Sequence, residues 1–164
     1  MTEKKSDFSL IFNSPTKGEL SFAGVISDIL DYIKSDPTHK YSIIVGTDSY
    51  TGNSVDYVTA IVVHRQGKGG KYFWQRLHRP KEPSLRHRIY QETVLSIETA
   101  RRLMNKFKLS QLSKYNVEVH IDVGEGGPTR DMISEVVGMV KGSGFAAKTK
   151  PEAFAATAVA DRHT

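Results

Sequence analysis

The sequence contains no cysteine, which excludes disulfide bonds and thiolate metal ligands. Any metal ion must therefore bind to oxygen or imidazole groups, which favours a hard ion such as Mg²⁺ or Mn²⁺. No apolar run is long enough to span a bilayer, and residues 1–7 contain no apolar core of a signal peptide. We therefore expect a soluble, cytoplasmic protein without a membrane partner.

Length and charge narrow the class of protein further. The chain has 164 residues, which suits a single domain that buries its own core without covalent links. Its formal net charge is +5 at pH 7. A basic protein suits a polyanionic ligand, but many basic proteins bind none, so the charge favours nucleic acid only weakly.

The first half of the chain predicts one helix and a three-stranded meander. Residues 1–21 are polar and interrupted by Pro15 and Gly18, so we assign them to an N-terminal arm. Apolar residues then recur at helical spacing from Phe22 until Pro37 ends the helix. Three β-branched or aromatic runs follow, and the short turns between them predict antiparallel neighbours. These strands are residues 41–49, 55–63 and 71–78.

The second half of the chain alternates helices and strands. A long helix follows Ser84, a residue type that caps helices, and its apolar positions share one face. This alternation favours parallel strands joined by right-handed crossovers. We therefore expect a mixed α/β sheet flanked by helices, with residues 22–164 forming one domain. The predicted elements are a helix over 85–108, a strand over 117–123, a helix starting at Thr129 and stopping at Gly142, a strand over 145–149 and a helix over 152–162.

Two strands of this predicted sheet end in an aspartate. The run before Asp48 is apolar enough to be buried on both faces, where a carboxylate is costly unless a cation or metal pairs with it. Asp122 ends the fourth strand, and parallel neighbours would place both aspartates side by side, where they repel unless divalent cations bridge them. Glu92 falls on the sheet-facing side of the long helix. The alternative is that the aspartates cap turns and that Glu92 pairs with Arg88.

Four separated motifs carry a family resemblance. They are Val45-Gly46-Thr47-Asp48-Ser49, His120-Ile121-Asp122-Val123-Gly124, Val137-Gly138-Met139-Val140 and the segment from Lys150-Pro151 through Asp161 to Thr164. Together with the element order, they resemble the YkuK-like family of predicted ribonuclease H-related nucleases over nearly the whole chain. The resemblance implies a ribonuclease H-like α/β fold, in which helices flank a three-stranded antiparallel meander and two parallel strands, here with an extra N-terminal helix.

The resemblance also implies a site of four carboxylates, namely Asp48, Glu92, Asp122 and Asp161. Carboxylates that hold two Mg²⁺ or Mn²⁺ ions about 4 Å apart can activate a water molecule and stabilise the leaving oxygen of a phosphodiester. The function that follows is a metal-dependent nuclease. A module on the same fold that binds nucleic acid without turnover is the alternative.

Four basic residues near these motifs are candidates for contacts with phosphate, namely Arg86, Arg88, Lys148 and Lys150. Basic residues this frequent are more often an ordinary solvated surface. His163 is a candidate auxiliary acid or water-orienting group. Tyr72 and Trp74 alternate on the third strand and suit a packed face better than base stacking. The sequence leaves open RNA, DNA or hybrid as substrate, internal or terminal cleavage, and the oligomeric state.

Overall fold

The fold is built outward from the strand Tyr41–Thr51, which has strands of the same sheet on both sides. The computed structural model describes residues 11–82, 84–153, 159 and 163. Within those residues, no helix is long and apolar enough to cross a membrane, and the cytoplasmic location stays a prediction. The strands are β1 Phe12–Ser14, β2 Gly18–Leu20, β3 Tyr41–Thr51, β4 Ser54–Arg65, β5 Gly70–Pro80, β6 Val117–His120 and β7 Ala146–Lys148, and the α-helices are α1 Phe22–Ser35, α2 Leu85–Lys108 and α3 Ile133–Gly142.

The strand order across the sheet is β2-β1-β5-β4-β3-β6-β7 in the described part of the chain. Strands β3, β4 and β5 are antiparallel neighbours joined by short turns, which confirms the predicted meander. Strand β6 lies parallel to β3 on its other side, and β7 lies parallel to β6. The predicted mixed α/β sheet, with a meander and two parallel strands, is confirmed.

The sheet extends further on the β5 side than predicted. We assigned residues 1–21 to an arm, but β1 and β2 form an antiparallel hairpin in which Asn13 pairs with Trp74 of β5. Phe12 is only 1% exposed and packs against Phe22, with ring centroids 6.0 Å apart. For this hairpin the prediction of an arm is wrong, because strands of three residues are too short to show an alternating pattern. Residues 1–10 of the arm lie outside the described part.

The two faces of the sheet are covered differently. Ile43 of β3 points to the face on which α1, α2 and α3 all pack, and this side holds the main hydrophobic core. Side chains alternate along each strand, so every second residue points to the opposite face. There Ile44 and Val58 belong to two smaller apolar clusters. Val159 packs against both of these clusters. The large core on the first face therefore fixes the position of α2, the helix that carries Glu92.

Helix boundaries follow the predicted capping residues in part. Ser84 caps α2 as predicted, and its hydroxyl accepts a hydrogen bond from a backbone N–H of the first turn at 3.2 Å. The predicted helix start at Thr129 is wrong for the α-helix, because Arg130–Met132 form a 3₁₀ turn and α3 begins only at Ile133. The Thr129 hydroxyl instead accepts a hydrogen bond from the backbone N–H of Gly124 at 3.3 Å. Helix α3 ends at Gly142 as predicted, and most of the predicted helix over 152–162 lies outside the described residues.

A buried carboxylate links the N-terminal hairpin to the rest of the fold. Asp28 of α1 is 3% exposed, with Nζ of Lys17 at 2.6 Å and Nζ of Lys71 at 2.9 Å from its oxygens. Burial opposes ionisation of Asp28, but hydrogen bonds from the two lysines outweigh burial and lower the pKa of this carboxyl. Because Lys17 lies between β1 and β2 and Lys71 lies in β5, this cluster joins three elements.

Asp28→Asn should lower the free energy of unfolding by about 1–3 kcal/mol at pH 7, because it removes charge-assisted hydrogen bonds from a buried position. A lowered pKa means that this contribution is present above the unfolded-state pKa of about 4 and is lost as the pH falls through the folded-state pKa. Urea unfolding at pH 7 and at pH 3 measures both effects. The control is Asp31→Asn on the exposed side of the same helix. Equal midpoints for the two variants at pH 7 would contradict the prediction.

Candidate active site

Two aspartates predicted for the site lie on, or just after, neighbouring parallel strands. The register pairs Gly46 of β3 with His120 of β6, so Asp48 and Asp122, each two residues further along, lie at the same end of the sheet. The prediction of adjacent parallel strands is confirmed, but neither aspartate is the last residue of its strand. Strand β3 continues to Thr51 because β4 stays paired with it, and β6 ends two residues before Asp122.

Both aspartates line a cleft of about 880 Å³ at this end of the sheet. The first turns of α2, the glycine-rich loop after β6 and the segment after β7 form its walls. Asp48, Glu92 and Asp122 bring carboxyl groups to the cleft, and Arg88 and Lys150 bring basic groups. Acidic residues from three separate parts of the chain thus meet in one open cavity.

Buried hydroxyl groups fix the part of α2 that carries Glu92. Ser96, one turn after Glu92, shares a hydrogen bond with Thr47 of β3, and their oxygens are 2.7 Å apart. The Thr47 hydroxyl is also 2.9 Å from the Thr59 hydroxyl of β4. All three hydroxyl residues are buried. Since a satisfied buried network specifies one arrangement of its members, it holds Glu92 beside β3.

Glu92 is a deeply buried acid of the cleft, with 6% of the residue exposed. The Ser49 hydroxyl donates to Oε1 at 3.4 Å, whereas Oε2 has no hydrogen-bond partner among the described residues. Burial raises the pKa of Glu92 well above its usual range, Asp48 and Asp122 raise it further, and Arg88 opposes them. Arg88 acts through its charge here, without a hydrogen bond to Oε2. Burial and the two aspartates therefore both oppose ionisation of Glu92.

Lysine 150 occupies the position beside Asp122. Nζ of Lys150 is 2.8 Å from Oδ1 of Asp122. The hydrogen bond and then the charge of Asp122 raise the pKa of Lys150, and Asp48 adds to the effect. We predicted a phosphate contact for Lys150 but not this ion pair. The register between β6 and β7 accounts for this ion pair. It pairs His120 with Lys148, so Asp122 and Lys150 come together two residues later.

Of the other three basic residues predicted for the site, one lines the cleft and two contact carboxylates outside it. Arg88 lines the cleft. Arg86 instead contacts Glu135 of α3, with Nη2 2.9 Å from each carboxylate oxygen. Lys148 lies 3.3 Å from a carboxylate oxygen of β6. The structure therefore brings Arg88 and Lys150 to the acidic residues, and phosphate binding by any of the four stays a prediction.

His163 contacts strand β5 and is not among the described residues that line the cleft. Its ring stacks on Trp74 with centroids 4.3 Å apart, and its Nε2 lies 3.3 Å from the Tyr72 hydroxyl. Arg76 donates a hydrogen bond to the His163 carbonyl. Tyr72 and Trp74 pack against the apolar clusters of the sheet, as predicted. This placement favours packing over the auxiliary role predicted for His163, and Asp161 lies outside the described residues.

Similarity to known proteins covers most of the chain. A family model described as Ribonuclease H-like matches residues 24–164. The chain belongs to the ribonuclease H-like family. It is also 30% identical over 171 residues to the uncharacterized protein YkuK of Bacillus subtilis (strain 168), a match that covers 95% of this chain and 98% of that protein. No solved structure matches the chain. The predicted resemblance is confirmed, and the β1–β2 hairpin lies before the part that the family model matches.

The ribonuclease H-like resemblance implies divalent cations at the acidic cleft, and the chemistry of the residues fits such ions. Carboxylate oxygens are ligands that Mg²⁺ and Mn²⁺ prefer, and the buried Oε2 of Glu92 has no hydrogen-bond partner among the described residues. In that part of the chain, however, no three acidic or histidine side chains are already arranged as a metal-binding group. Asp122 is bonded to Lys150 instead, so a cation that binds Asp122 at this oxygen would have to replace the lysine.

Glu92→Gln should raise the melting temperature at pH 8 in EDTA by a few degrees, because an uncharged side chain avoids ionisation beside two aspartates. The raised pKa of Glu92 sets the direction in which stability changes with pH. Stability from the protonated form is fully present below the unfolded-state pKa of about 4.3 and is lost as the pH rises through the folded-state pKa. The rise in melting temperature caused by Glu92→Gln should therefore become smaller as the pH falls toward 4. Glu98→Gln, on the exposed side of α2, is the control, and a lower melting temperature for Glu92→Gln at pH 8 would count against the assignment.

Proposed function

We propose that this ribonuclease H-like protein is a divalent-metal-dependent nuclease that hydrolyses phosphodiester bonds of a nucleic acid. The observation that carries the proposal is that Asp48, Glu92 and Asp122 line one open cleft. Both aspartates raise the pKa of Glu92, so the three carboxylates are close enough to interact. Asp161, which lies outside the described residues, is proposed as the fourth acidic ligand.

Each group of cleft residues has a distinct task under this proposal. Two bound Mg²⁺ or Mn²⁺ ions would supply Lewis-acid stabilisation of the phosphate oxygens and a nucleophilic water. Glu92 offers a carboxylate oxygen from a fixed helix, while Asp48 and Asp122 offer theirs from the end of the sheet. Arg88 and Lys150 supply positive charge for the non-bridging oxygens of the substrate, because charge-assisted hydrogen bonds to phosphate are strong.

A nucleic-acid-binding module without turnover is the second candidate. The ion pair between Lys150 and Asp122 favours it, because a protein that no longer bound metal would need such a partner for the aspartate. Both candidates require nucleic-acid binding, and they differ in cleavage. Substrate panels that include RNA, DNA and hybrid duplexes therefore decide between them.

Asp48→Asn and Asp122→Asn should each abolish cleavage in Mg²⁺ or Mn²⁺ and leave nucleic-acid affinity unchanged or higher, because less negative charge repels phosphate less. Gel assays with labelled RNA, DNA and hybrid substrates measure cleavage, and fluorescence anisotropy measures affinity. Asp31→Asn, on the exposed side of α1, should behave like wild type. If the wild-type protein binds nucleic acid and cleaves none, the binding module is correct. Wild-type cleavage rates in both cleft variants would exclude this site.

Arg88→Ala should weaken nucleic-acid binding and reduce the slope of log affinity against log salt by about one, because one phosphate contact is lost. Arg86→Ala is the matched control on the same helix, since Arg86 already lies 2.9 Å from Glu135. We expect a smaller loss of affinity for this control. Anisotropy titrations at several salt concentrations make the comparison, and equal losses for both variants would place the binding surface along α2 rather than in the cleft.

A further inference from the structure

Backbone hydrogen bonds hold Lys150 beside Asp122. Strand β7 is the parallel neighbour of β6, and hydrogen bonding between the two segments continues past both strand ends. The N–H of Ile121 donates to the carbonyl of Lys148 at 2.9 Å, and the N–H of Lys150 donates to the carbonyl of Val123 at 2.9 Å. Lys150 therefore stays beside Asp122 whatever its side chain contacts.

The side chain of Lys150 reaches Asp122 by lying against Gly124. A Cβ atom at Gly124 would be 3.0 Å from Cβ and 3.4 Å from Cδ of Lys150, so the absence of a side chain leaves room for the alkyl chain. The Gly124 N–H is held by the Thr129 hydroxyl at 3.3 Å. Nζ of Lys150 then ends 2.8 Å from Oδ1 of Asp122. The ion pair is thus part of the wall of the cleft.

This ion pair remains open to solvent, because the side chains of Lys150 and Asp122 are 57% and 31% exposed. Ion pairs with such exposure add little to stability, so either partner can exchange its counter-ion at low cost. A divalent cation carries twice the charge of an ammonium group and binds carboxylate oxygens directly. The ammonium group and a divalent cation cannot occupy the same position at one carboxylate oxygen. A divalent cation that binds this oxygen of Asp122 therefore displaces Lys150.

We propose that Lys150 is a displaceable internal cation of the cleft, an inference that rests on the proposed function. In the metal-free protein Lys150 neutralises Asp122 and holds it in position. When a divalent cation binds the carboxylate, the released ammonium group is left in the cleft beside the acidic residues. There it binds a non-bridging phosphate oxygen of the nucleic-acid substrate, because an ammonium on a long alkyl chain can move to a new anion.

Calorimetric titration of the full chain with Mn²⁺ tests the displacement. Lys150→Met keeps an unbranched side chain without the charge, so Mn²⁺ should bind about two- to fivefold more tightly than to wild type. Lys148→Met is the matched control, because Lys148 lies 3.3 Å from Glu118 outside the cleft, and it should bind Mn²⁺ like wild type. Lys150→Gln is a second variant in case Lys150→Met does not fold, and urea unfolding checks each protein.

NMR of the lysine side chains gives a readout that does not depend on affinity. The Nζ signal of Lys150, identified by its absence in Lys150→Met, should shift on addition of Mg²⁺, whereas that of Lys148 should not. If wild type binds Mn²⁺, both Lys150 variants bind it no more tightly and the Lys150 signal stays in place, displacement is overturned while the metal site stands. If neither wild type nor any variant binds Mn²⁺, the inference and the proposed metal site both fail.

Discussion

The burial of Glu92 next to two aspartates is the constraint on which the rest of the site depends. Only 6% of the residue is exposed, and its pKa is raised by burial and by the neighbouring carboxylates. An apolar residue at this point of α2 would stabilise the fold better than an acid with one unpartnered oxygen. The cleft therefore holds an unfavourable electrostatic arrangement that added positive charge relieves, which is the property expected of a cation site.

The fold keeps this arrangement from relaxing. Helix α2 is fixed by the core on one face of the sheet and by the hydroxyl network that joins Ser96 to Thr47 and Thr59. These contacts fix the backbone of α2 that carries Glu92. The charged ends of Arg88 and Lys150 belong to long side chains, and that of Lys150 is largely exposed. Fixed acids and movable bases suit a site that must accept a cation and then a phosphate.

Local placement of charge says more about nucleic-acid binding than the net charge of the chain does. Arg86 and Lys148 belong to the same basic stretches as Arg88 and Lys150, yet each lies beside a carboxylate outside the cleft. A positive overall charge can speed the approach of a polyanion. In the proposed nuclease, Arg88 and Lys150, the basic residues that line the cleft in the described part of the chain, would set the position of a substrate phosphate relative to the acids.

Local patterns were sufficient to predict much of the fold. Helical periodicity, the cap at Ser84 and the short glycine-rich turns predicted α1, α2 and the meander, because each depends on residues close together in the chain. The direction of the strands also placed Asp48 and Asp122 at one end of the sheet.

The tertiary structure decided what depends on residues far apart in the chain. The β1–β2 hairpin is stabilised by its pairing with β5, and its strands of three residues carry no pattern of their own. The contact between Lys150 and Asp122 follows from the register of β6 and β7, which pairs Lys148 with His120. The sequence by itself thus determined the longer helices, the meander and the acids that they carry. Only the packed fold decided how deeply Glu92 is buried and which lysine meets which acid, because strand register and helix packing arise from long-range contacts that no local pattern encodes.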